Sequence, residues 1–202
     1  MRYLSFLILL VSLTSCRGQL VEKIDPSDVS QTILIYGAQL KYEKHLHLED
    51  SIVYYENSIQ HFRLDFSTQQ ITEDLWASRE MLVDTVEGFL DRINGNWSIV
   101  PFLDHYPFTP DDVDVYINFT SFYSKYVNLQ NNALATLRKG NATYFTYTAL
   151  DCSQDCWREK REYYWQSKMF VDYNRQGEAL YAPKPNPLQS VFGVERYIPT
   201  SN

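Results

Sequence analysis

With only seven glycines and three cysteines in 202 residues, the chain offers neither a glycine-rich phosphate cradle nor a cysteine framework able to staple a small fold. Positive charge is in deficit, with 18 Lys and Arg against 25 Asp and Glu. A net charge of −7 leaves no basic stripe for a phosphate backbone, so nucleic acid is not an expected partner. The apolar run from Leu4 to Leu13 falls short of the ~20 residues that a helix needs to cross a bilayer. No Gly-x-Ser-x-Gly elbow, calcium-binding loop or dinucleotide fingerprint occurs, and no cofactor or metal is expected. What remains is a chain that is 45% hydrophobic with 16 tyrosines, a composition that suits one globular core.

The N-terminus is the most informative stretch. Arg2, the apolar run and the small residues Thr14 and Ser15 before Cys16 have the layout of a signal peptide. Leu13-Thr14-Ser15-Cys16 resembles the lipobox of bacterial lipoproteins. The resemblance implies that residues 1–15 are removed, that Cys16 is acylated, and that residues 16–24 tether a folded body to a membrane. Two or more acyl chains hold stably where one binds only marginally. Arg17, where inner-membrane lipoproteins commonly carry Asp, implies the outer membrane. A secreted soluble protein cut elsewhere is the alternative. A eukaryotic origin, with glycans at the sequons of Asn96, Asn118 and Asn141, is a further one.

Cys152 and Cys156 are a disulfide candidate, because an exported chain meets an oxidising compartment. Their spacing would strain a bridge inside a regular helix and fits a turn better. Two separate thiols, or zinc without a second ligand pair, are the other readings.

Periodicity predicts the elements. Val29, Ile33, Tyr36 and Leu40 recur at helical spacing after Asp25-Pro26-Ser27. Phe62, Leu64 and Phe66 alternate with His61, Arg63 and Asp65, as a half-buried strand does. A helix over about 72–94, capped by Thr72, carries Leu75, Leu82, Val86, Phe89, Leu90 and Ile93 on one stripe and Glu80, Asp84, Glu87 and Asp91 on a solvated face. Val113 to Phe119 alternates again. Segments 133–137 and 143–148 flank Arg138-Lys139-Gly140-Asn141 as a hairpin. A last helix is expected over about 154–173, and residues 177–202 form a proline-rich extension. The expected fold is therefore a single α+β domain over 25–176, an antiparallel sheet of about four strands with helices packed on one face.

The stretch Ala77-Ser78-Arg79-Glu80-Met81-Leu82-Val83, with Val86-Glu87, Phe89-Leu90, Ile93-Asn94, Pro101-Phe102-Leu103 and Tyr106-Pro107-Phe108-Thr109, resembles a pattern in exported proteins of intracellular bacteria. It covers about residues 59–120. The family has no assigned activity, so the resemblance implies a strand–helix–strand core and no mechanism.

Candidate chemistry is thin. His45 and His47 would share a face only in an extended segment, and no third ligand accompanies them. Asp104-His105 has the composition of half a general-base pair, yet adjacent Asp and His in a proline-rich loop ordinarily serve the turn. The best-supported expectation is a membrane-anchored envelope lipoprotein that binds or supports and does not catalyse. Its interface candidates are Trp157, Tyr163, Tyr164 and Trp165, rings that dominate contact energetics when exposed. The competing expectation is an envelope hydrolase using His105 and nearby carboxylates in a concave pocket.

Overall fold

The computed structural model describes residues 26–69, 75–120, 132–147 and 157–181. Cys16, the tether, Thr72, Cys152, Cys156 and the extension beyond residue 181 lie outside the described residues. Helix α1 spans Pro26–Lys44 and buries the Val29, Ile33, Tyr36 and Leu40 stripe. It ends where His45 turns into the left-handed region (φ 54°). Buried Leu46 then leads into β1, His47–Tyr55. The histidine pair thus straddles a helix stop and a strand start.

Strand β2, Ile59–Thr68, leads to helix α2, Leu75–Asn94. Two 3-10 turns, Val100–Phe102 and Pro110–Asp112, shape the proline-punctuated loop. Asn94 secures that loop: its side chain donates to the Phe108 carbonyl (2.9 Å) and accepts from the Phe108 N–H (2.8 Å). Strands β3 (Val113–Phe119), β4 (Asn132–Arg138), β5 (Asn141–Tyr147) and β6 (Trp157–Tyr163) follow. Helix α3, Tyr164–Tyr181, closes the described chain. The β4–β5 turn places Lys139 at φ 45° and Gly140 at φ 70°, consecutive left-handed residues that match the twist of a hairpin.

The six strands form one sheet in chain order, β1 to β6. Neighbours are antiparallel except β2 and β3, which run parallel, with Phe62 opposite Val113 and Phe66 opposite Ile117. Helix α2 supplies the crossover that a parallel pair requires. The α+β class holds, while the sheet is larger than about four strands and is mixed. Both additional strands are edges. No residue of β1 is fully buried, so no apolar alternation marks it. Strand β6, Trp-Arg-Glu-Lys-Arg-Glu-Tyr, occupies the first half of the expected last helix. Its Glu, Lys and Arg favour helices locally, but pairing with β5 decides, and such charges blunt an exposed edge. The following helix runs four residues past Gly177, to Tyr181, beyond the expected start of the extension.

One face of the sheet carries the core. Phe62, Leu64 and Phe66 of β2, Val115 and Ile117 of β3, and Leu137 of β4 are all fully buried beneath the helices. Phe89 of α2 meets Phe62 edge-on at 5.2 Å and Tyr36 of α1 at 5.6 Å. Two glycines permit close approach. A Cβ at Gly37 would sit 2.9 Å from Leu48 of β1, and one at Gly88 would sit 2.9 Å from the Tyr36 hydroxyl. That hydroxyl donates to the Thr85 carbonyl at 2.6 Å.

Candidate functional site

The acidic row of α2 is solvated at Glu80 and Asp91, as expected, while Asp84 and Glu87 between them are half-buried and bridge to the neighbouring helices. Asp84 accepts from Lys44 of α1 (2.6 Å) and from Arg175 of α3 (2.7 Å), and Arg175 also reaches Glu80 (2.9 Å). Glu87 takes the Tyr164 hydroxyl (2.8 Å) and Lys168 (3.1 Å). These carboxylates orient α1 and α3, which leaves no enclosed acid pair of the kind glycoside cleavage needs.

Tyr164 therefore serves the interior. It is 5% exposed, and burial, followed by the nearby Glu87 charge, pushes its phenol well above the ordinary range. Its neighbours turn outward. Tyr163 and Trp165 are 58% and 60% exposed, and their rings stack with an interplanar angle of 11° and centroids 6.3 Å apart. The placement of the Trp157 side chain is outside the described set.

His105 does find a carboxylate, though not Asp104. Its Nε2 lies 3.0 Å from Asp112 Oδ2, an oxygen that also accepts from the Thr109 backbone N–H (2.7 Å) and hydroxyl (2.8 Å) in a capping box. Asp104 instead accepts from Ser58 (2.7 Å). The imidazole is half exposed, rests against Phe108, and closes the loop at the head of β3. Among the described residues no three His, Cys, Asp or Glu side chains converge as a metal site, and no helix is long and apolar enough to cross a membrane.

Among the described residues no helix packs on the second face of the sheet, which carries a pattern of its own. Ile52 and Tyr54 of β1 are exposed, and His61 beside Tyr54 contacts Asp114 of β3 (3.2 Å). Arg63 forks onto Asp65 (3.1 and 2.9 Å) and lies over the Tyr116 ring at 4.7 Å. Arg161 pairs with Glu159 (2.7 Å). The charges on this face are matched in its own plane. All three sequon asparagines spend their amide N–H on the fold: Asn96 on Thr32 (3.1 Å), Asn118 on the Phe66 carbonyl (3.4 Å) and Asn141 on the Lys139 carbonyl (2.8 Å).

Beneath the helices lies a buried ionic network that the sequence reading passed over. Arg79 of α2 forks onto Glu162 of β6 with both contacts at 2.7 Å, and the two side chains are 4% and 6% exposed. Ser167 of α3 also donates to Glu162, and its hydroxyl meets that of Tyr144 (2.8 Å). The guanidinium sits over Phe170 (4.7 Å) and Trp76 (5.2 Å). Burial pushes the Glu162 carboxyl up, but the Arg79 and Ser167 hydrogen bonds outweigh it and hold the group below the usual range. A signal did exist: Arg79 falls on the apolar stripe, three residues before Leu82. No protein-family model, curated protein or solved structure matches the chain.

Proposed function

We propose that the chain is a lipid-anchored cell-envelope protein, held at the outer membrane through Cys16, whose body binds a protein partner and does no chemistry of its own. The anchor rests on Leu13-Thr14-Ser15-Cys16 and on Arg17 beside it. One observation carries the binding role: a six-stranded sheet with one packed face and, among the described residues, no helix on the other, and a stacked Tyr163–Trp165 pair exposed at the β6–α3 junction. Because the Arg and Asp/Glu charges of the open face pair with one another, the complementary surface is an uncharged polypeptide patch. The rings provide its apolar anchors, with polar tips left for the rim.

A photo-crosslinking residue at position 165 tests this in intact cells. One discrete protein adduct is expected, weakened by Tyr163→Ala and absent when the crosslinker stands at Tyr42, an exposed site on α1. Identical products from both positions would overturn the interface. For the anchor, Cys16→Ser should move the chain from the detergent-rich to the aqueous phase. An unchanged partition refutes it.

A further inference from the structure

On the helix-bearing side of the sheet, a cleft of about 320 Å³ opens beside β6. Tyr144 and Thr146 of β5 line it with Asn132 of β4, Leu75 at the start of α2, and Arg158, Glu159 and Lys160 of β6. Register explains the grouping. Thr146 stands opposite Arg158 and Tyr144 opposite Lys160, so the two cations lie on the same face as those β5 residues, roughly 6.5 Å apart along the strand. Glu159 between them also borders the cleft, but its carboxylate pairs with Arg161 (2.7 Å). Glu162, next on the cleft side, is taken by Arg79 and Ser167. Among the described residues, neither Arg158 nor Lys160 has a carboxylate within ion-pair distance. Among the described residues of a chain of net charge −7, two cations thus stand on one wall of a cavity without an ion-pair partner.

The other lining residues specify the rest of the ligand. Tyr144 commits its hydroxyl to Ser167 (2.8 Å) and is almost wholly buried, so only the margin of its ring borders the cleft, with Leu75 as the other apolar lining residue. Thr146 gives its proton to Asn132 Oδ1 (3.1 Å), and Asn132 in turn donates to Ser78 (2.7 Å). The threonine oxygen therefore offers lone pairs only. The volume sits at the small end of ligand pockets, and the Arg79–Glu162 clamp fixes β6 against α2, so that the cations hang from a braced wall.

We infer that this cleft binds a small phosphate monoester with an apolar body: the dianion between Arg158 and Lys160, the body on Tyr144 and Leu75, and a ligand hydroxyl, where present, donating to Thr146. The charge of the group matches the two cations, and Arg–phosphate contacts are among the stronger hydrogen bonds. The site lies on the opposite side of the sheet from the face assigned to the protein partner and stands independently of that assignment.

Phenyl phosphate is the probe, titrated calorimetrically into the full-length detergent-solubilised protein at low salt. Saturable one-site binding is expected, weakened about tenfold or more by Arg158→Gln and again by Lys160→Gln. Arg161→Gln, on the far face, should bind as the wild type does. Inorganic phosphate, which lacks the body, and benzoate, which lacks the second charge, should both bind more weakly. Nuclear Overhauser transfer from the Tyr144 ring to the phenyl protons gives a second readout needing no substitution. Absent saturation, unchanged affinity in the double variant, equal loss in Arg161→Gln, or inorganic phosphate or benzoate binding as tightly would each overturn the inference.

Discussion

Removing the Arg79 guanidinium while leaving Glu162 in place should be among the most damaging single substitutions in the domain. In Arg79→Met the carboxylate stays 6% exposed with Ser167 as its remaining donor. Breaking one side of a buried pair costs about 3–5 kcal/mol, and the surviving hydrogen bond sets the expectation near 3 kcal/mol. Against a total stability of about 5–15 kcal/mol for a domain of this kind, the variant unfolds at much lower urea concentration. Replacing both partners, Arg79→Met with Glu162→Met, leaves no charge stranded and keeps volume among Trp76, Tyr144 and Phe170. Its stability should return to within ~1 kcal/mol of wild type.

The same pair fixes a dependence on acid. The Glu162 carboxyl is held below its usual range in the folded state, so its contribution is complete above the unfolded value of about 4.3 and disappears as pH falls through the lower folded value. Urea melts of wild type should steepen in their pH dependence below about pH 4.3, whereas the double methionine variant should lack this component. A cost under ~1 kcal/mol for Arg79→Met, or a double variant as unstable as the single, would refute the reasoning.

Three further outcomes follow from the fold. Gly140→Ala should cost about 1–2 kcal/mol in thermal melts, since φ is +70° and the new Cβ would stand 2.0 Å from Asp111 Oδ1. Leu82→Asp, which buries an unpaired charge at a fully enclosed position of α2, should cost several kcal/mol, about 4, and yield little folded protein on expression. His105→Ala should leave activity unchanged across a hydrolase panel and lower stability by no more than about 1 kcal/mol, the worth of one exposed contact to Asp112; lost hydrolysis would restore the enzymatic reading.

Elements with one apolar face were legible from residue order. The α1 stripe, the β2 and β3 alternations, the body of α2 and the β4–β5 hairpin emerge where their periodicity predicts, because burial on one side writes a period of 3.6 or 2 into the sequence. Edges carry no such record. Strand β1 buries none of its residues fully, and β6 alternates charge with charge, Arg158, Lys160 and Glu162 on one side and Glu159 and Arg161 on the other. Trp157, Tyr164 and Val171 stand at seven-residue intervals that imitate one helix, yet Trp157 belongs to β6 while Tyr164 and Val171 are buried on α3. The cationic cleft was illegible for the same reason, since its wall belongs to a strand read as a helix. The solvated acidic row of α2 was legible, but the bridges that Asp84 makes to Lys44 and Arg175 were not, because those partners come from distant parts of the chain.

A sheet whose spatial order repeats its chain order, β1 through β6, sets the sequence in which folding can proceed. Each new strand docks on the one made just before it, so nearly every pairing closes a short loop and forfeits little chain entropy. The exception is the union of Phe62 with Val113, which must wait for α2 and the proline loop to be laid down between them. Among the strand pairings this is the single long-range closure, and the remaining strands add locally. A polypeptide built this way can acquire its sheet progressively from its leading end, with β2 alone holding an edge open until its partner arrives.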